Sequence, residues 1–103
     1  MSKELYAKEP PKGLLFLESL PLVGDKIIEK DTGLTHLVIQ DLRYEFRAIS
    51  RLPGSRKIKE TYYGRRPLSR KMPKLYVELL AEVHDSTSLD YLKYNEILTK
   101  AGL

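Results

Sequence analysis

Residues 24–47 read GDKIIEKDTGLTHLVIQDLRYEFR, and the fold turns on whether this stretch is helical. Leu34, Val38, Leu42, Phe46 and Ile49 recur at spacings of four, four, four and three, which is one face of a helix. Ile27 and Ile28 supply apolar positions upstream. Gly33 can end a first helix, Asp25–Asp31, in the left-handed conformation that glycine adopts without steric penalty. Thr35 can cap a second helix running to Ile49. The expectation is a helix-turn-helix over residues 24–49. A strand reading competes with it. Leu42, Tyr44, Phe46 and Ala48 alternate, which would leave Arg43, Glu45 and Arg47 facing water. Against it, Leu37-Val38-Ile39 breaks the alternation and no hairpin turn is evident upstream. Glu29 stands four before the turn glycine, where a helix-turn-helix usually has alanine, so the two helices would cross differently or shift by one residue.

The 103 residues suit a single domain. Its charge is segregated. Residues 43–74 hold eleven basic and two acidic side chains, a net +9, whereas the rest holds seven basic and twelve acidic, a net −5. A basic block in an otherwise acidic chain is a footprint for a polyanion, most often nucleic acid. There is no cysteine, which rules out disulfides and thiolate metal sites. His36 and His84 are far apart in sequence, and neither a metal nor a cofactor is expected. No apolar run approaches the ~20 residues of a membrane span. The first residues lack a hydrophobic signal core, so a cytoplasmic protein is expected, with no membrane partner. No nucleophile sits beside a base, and Glu78 and Glu82 read as a solvated helix face, so no enzyme is expected.

Outside the central stretch, residues 1–13 read as a flexible arm. Leu14–Leu20 reads as a short buried helix ended by Pro21. Residues 50–72 form a basic loop or wing with a Pro53-Gly54 turn. Within it Arg56–Tyr63 suits a short strand with Ile58, Glu60 and Tyr62 on one side. Residues 73–103 read as a C-terminal helical pair. Its first member, Ser69–Asp85, begins inside the wing and spaces Met72, Leu75, Tyr76, Leu79, Leu80 and Val83 at three and four. Its second, Leu89–Lys100, carries Tyr91, Tyr94, Leu98 and Ala101 on one stripe, with Gly102 closing it. The expected class is therefore mainly α.

On this reading the helix from Leu34 to Ile49 enters the major groove of double-stranded DNA. Thr35 and His36 meet phosphate or base. Gln40 pairs with adenine, and Arg43, Tyr44 and Arg47 complete the reading face, with Leu37 turned outward. Arg51, Arg56, Lys57, Lys59, Arg65 and Arg66 grip phosphates, and Tyr62 and Tyr63 either stack or pack. The alternative is a non-specific nucleic-acid binder or protein-interaction adaptor that uses the same basic segment.

The run DTGLTHLVIQDLRYEFRAISRLPGSRK resembles the corresponding part of the C subunit of the bacterial flagellar master activator. Thr32, Leu34 and Thr35 match its turn. Leu42, Glu45, Phe46 and Arg47 match its helix, with Tyr44 as a displaced aromatic, and Pro53, Gly54 and Lys57 match its loop. The cysteines of that family's zinc site are absent. The resemblance implies a transcription activator, of a mobile element on one reading. Its partners would be promoter DNA, RNA polymerase, and a further copy or a second regulator subunit.

Overall fold

The computed structural model describes residues 3–7, 14–17, 19–66 and 75–103, with the side chains of Leu14, Phe16 and Arg66 outside that description. Residues 24–47 are strand and turn throughout. Strands β3 (Lys26–Glu29) and β4 (Thr35–Asp41) form a hairpin, with Ile28 opposite Thr35 and Lys26 opposite Leu37. The Thr32-Gly33 step is the hairpin's turn. The Gly33 N–H donates to the Glu29 carbonyl at 2.8 Å, and Gly33 sits at φ 74°, where glycine carries no Cβ penalty. The Thr32 hydroxyl donates to Glu29 Oε2 at 3.0 Å and accepts the Leu34 N–H at 3.2 Å, a side-chain brace for the turn. Thr35 opens a strand and caps nothing.

The mainly α expectation is thus overturned. β1 (Glu4–Ala7), β2 (Leu14–Phe16), β3, β4, β5 (Glu45–Arg51), β6 (Ile58–Arg66) and β7 (Leu75–His84) build one sheet in the order β1-β3-β4-β5-β6-β7-β2. β1 and β3 run parallel, and every other neighbouring pair is antiparallel. α1 (Leu89–Lys100) is the only helix among the described residues, and it keeps the bounds its stripe predicts. The arm contributes β1, whose Leu5 and Ala7 are buried. The expected Leu14–Leu20 helix is β2, and the expected Ser69–Asp85 helix is β7 from Leu75 onward. Residues 67–74, with Met72 and Pro73, lie outside the described residues. The Pro53-Gly54 turn forms where expected, with Gly54 at φ 72° and the Ser55 N–H donating to the Leu52 carbonyl at 3.3 Å.

The helical spacing misleads because the middle of the sheet is buried on both faces, as in strands that read as continuous apolar runs. On the inner face, Leu5, Leu15, Ile27, Val38, Phe46, Ala48, Tyr63 and Tyr76 join one core. Residues from both edge strands share that core, so the sheet curls round it. Phe46 is its centre, stacked on Tyr63 at 4.9 Å and edge-on to Tyr76 at 4.9 Å. On the outer face, Leu37, Ile49 and Ile58 pack under Tyr91, Tyr94 and Leu98 of α1. A bulge between Val38 and Gln40 inserts Ile39, which also packs against the α1 side. Leu37-Val38-Ile39 is therefore one strand serving two cores. No helix among the described residues is long and apolar enough to cross a membrane.

Candidate functional site

Strand geometry disperses the residues expected on a reading helix. His36 is 1% exposed and points into the curled sheet, edge-on to Tyr63 at 6.2 Å. Its Nε2 lies 3.5 Å from Glu29 Oε2, too long for a good hydrogen bond, although the contact still holds the Glu29 carboxyl below its ordinary range. Leu37 is buried under α1 instead of facing outward. Thr35 borders a small cleft with Arg51, Pro53 and Leu103. Tyr63 is core, and Tyr62 lies beneath the Arg47 guanidinium at 4.9 Å.

Most of the described cations in the basic block are engaged internally. Arg51 clamps the end of α1. Its Nη1 donates to Asn95 Oδ1 at 2.6 Å, its Nη2 to Thr99 Oγ1 at 3.0 Å and its Nε to the Leu103 main-chain oxygen at 2.9 Å. A cation there also meets the negative end of the helix dipole. Lys59 faces Glu78 at 3.9 Å, and Arg65 is ion-paired with Asp41. Arg56 and Lys57 are exposed at the β5–β6 turn, and the side chain of Arg66 lies outside the description.

Arg47 belongs to a network between the sheet and α1. Its Nη2 ion-pairs with Glu60 Oε2 and donates to Tyr94 Oη at 2.9 Å, while its Nη1 donates to Gln40 Oε1 at 3.1 Å. Tyr94 donates its own proton to Glu60 Oε2 at 2.9 Å. Glu60 Oε1 lies 3.0 Å from His84 Nε2, and His84 Nδ1 lies 3.1 Å from Ser88 Oγ. Ser88 occupies the N-cap of α1 yet makes no side-chain capping bond, because its hydroxyl faces His84. Burial alone would raise the Glu60 carboxyl, but bonds from Arg47, His84 and Tyr94 outweigh it and hold the carboxyl below its ordinary range. Burial, then the adjacent carboxylate, push the Tyr94 hydroxyl up to about 12. Glu82 brings a third ligand-type group beside Glu60 and His84, with the three ligand atoms within 4.8 Å of one another. The guanidinium already on Glu60 opposes a cation there, so the cluster works as an ion network. The sequence reading places none of Glu60, His84, Ser88 and Tyr94 in a functional site. One signal existed: a glutamate between Ile58 and Tyr62 on the apolar side of a strand must find partners when buried.

The remaining cluster lies at the β4–β5 turn. Arg43 and Tyr44 are both exposed, Tyr44 at 70%, with the guanidinium carbon 5.1 Å from the ring centroid. The turn is braced. Leu42 N–H donates to the Glu45 carbonyl at 2.8 Å, Arg65 N–H to the Tyr44 carbonyl at 2.9 Å, and Arg65 Nη1 to the Arg43 carbonyl at 3.2 Å. Arg66 pairs with Leu75 at this same end of the sheet.

Comparison with protein-family models, curated proteins and solved structures finds no match for this chain, and the residues of the flagellar-activator resemblance, Thr32 to Lys57, lie in the β3–β4–β5 hairpins and the turn after β5.

Proposed function

We propose that the chain is a non-catalytic nucleic-acid-binding protein whose contact is the β4–β5 end of the sheet. The observation that carries the reading is Tyr44. A tyrosine ring 70% exposed, beside a guanidinium that makes no ion pair among the described residues, on a turn tied down by Arg65, offers a stacking platform with a phosphate-binding cation at its side. Reading of base edges by a helix over residues 34–49 is not part of the proposal, because those residues are strands. Stacking with phosphate contact tolerates many sequences, so single strands are the preferred substrate.

The test is fluorescence anisotropy with a labelled single strand and the matching duplex. Arg43→Glu with Tyr44→Ala is expected to weaken single-strand binding by about tenfold or more. Arg56→Glu with Lys57→Glu, at the opposite end of β5, is expected to change it little. Equal losses in both double variants, or no binding by the unaltered protein at low salt, would sink the proposal.

A further inference from the structure

On the outer face, between β4–β5 and the middle of α1, lies a cleft of about 290 Å³ lined by Ile39, Gln40, Arg47, Lys93, Tyr94 and Ile97. No carboxylate among the described residues lines it. Its polar groups are donors, and their partners are accounted for in one direction only. Arginine can only donate, so the Gln40 amide must turn its oxygen toward Arg47 Nη1, which leaves its NH₂ as the other end. Tyr94 gives its proton to Glu60. Arg47 meets Gln40, Glu60 and Tyr94, and its buried Nε has no hydrogen-bond partner. Lys93 is exposed on α1 and makes no ion pair among the described residues. Arg47 is ion-paired with Glu60 behind it, so on the lining itself Lys93 is the single cation without a carboxylate partner among the described residues. The apolar walls are Ile39, the residue inserted by the β4 bulge, and Ile97, one turn beyond Lys93 on α1. Bulges commonly re-aim a side chain in this way.

We propose that this cleft binds a small monocarboxylate with a short apolar chain, its carboxylate between Lys93 and the Arg47–Gln40 pair and its chain against Ile39 and Ile97. Water takes about 30 Å³ per molecule, so the volume suits a ligand of roughly ten heavy atoms. The single unpaired cation favours a monoanion over a dianion, and the two isoleucines favour a chain over an inorganic ion.

The experiment is an amide-resolved NMR titration of the full chain with sodium hexanoate, hexan-1-ol and inorganic phosphate in turn. Hexanoate is expected to give saturable shifts at residues 39–40, 47 and 93–97, with a Kd of about 1 mM. Hexan-1-ol, without the charge, should bind about tenfold more weakly. Lys93→Glu, at an exposed position that supports no packing, should keep the folded spectrum and lose about tenfold or more in hexanoate affinity. The proposal is overturned if hexanoate shifts nothing in the cleft by about 20 mM, if Lys93→Glu binds it unchanged, or if the alcohol binds as well. It is equally overturned if phosphate saturates the same residues as tightly, because the apolar chain would then decide nothing.

Discussion

Glu60 holds the most demanding position of any single residue described. Its side chain is 3% exposed and its two oxygens satisfy an arginine, a histidine and a tyrosine drawn from three elements. Removing one member of such a buried pair leaves the others unpaired, which costs about 3–5 kcal/mol. Glu60→Gln keeps the shape and one acceptor, so its cost at pH 7 belongs at the lower end, about 3 kcal/mol. The pH dependence follows from the lowered folded-state pKa. A carboxylate more acidic in the folded than in the unfolded chain stabilises the fold fully above the unfolded value of about 4.3. That contribution is lost as pH falls through the lower, folded value. Wild-type stability in urea should therefore drop below about pH 5, and the gap between wild type and Glu60→Gln should narrow toward about pH 3. A gap that stays constant over that window would mean that Glu60 is not an ionised acceptor in the fold. Glu29, also held low, titrates in both proteins and leaves the gap unaffected.

At the scale of elements, the β3–β4 hairpin depends on one backbone conformation. Gly33 sits at φ 74° with open space where a Cβ would point, so substitution there meets backbone strain and no clash. Gly64 is the converse case: its Cβ would lie 3.1 Å from Leu79 Cδ1, the residue inserted by the β7 bulge. Gly33→Ala should cost about 1–2 kcal/mol from the left-handed backbone. Gly33→Asn should cost less, because asparagine tolerates that region. Equal losses in urea unfolding would point to a side-chain clash. This turn also marks the limit of the sequence reading. A glycine with positive φ ends helices and turns hairpins alike, and what decided here was the β-branched content on either side: Ile27, Ile28, Thr35, Val38 and Ile39. The stripe Leu34–Val38–Leu42–Phe46–Ile49 looked helical because it merged two faces. Val38 and Phe46 face the curled core, Ile49 faces α1, and Leu42 is 40% exposed. α1 was legible because only one of its faces is buried, so Tyr91, Tyr94 and Leu98 form a clean stripe. The Pro53-Gly54 turn was legible because its chemistry is local. The Glu60 network was not, because it joins residues 47, 60, 84 and 94 through pairings that exist only once the sheet has formed.

Across the whole molecule, the fold uses up much of the charge that the sequence displays. The net +9 of residues 43–74 reads as one basic stripe along a chain, yet a sheet sends successive turns to opposite ends. Arg43 ends up at one end and Arg56 and Lys57 at the other, while Arg47 and Arg65 are neutralised by Glu60 and Asp41. Nucleic-acid affinity falls with salt according to how many phosphates a protein neutralises, and a cation already paired internally releases no counterions. Arg43→Gln should therefore flatten the slope of log affinity against log salt by about 0.7 for a single strand. Arg47→Gln should leave the slope unchanged and lower the Tm, because its charge is spent on Glu60. The two variants remove the same formal charge from the same hairpin, so net charge alone predicts identical slopes. A slope that falls equally in both would show that the bulk charge of the basic block, not the exposed turn, governs binding.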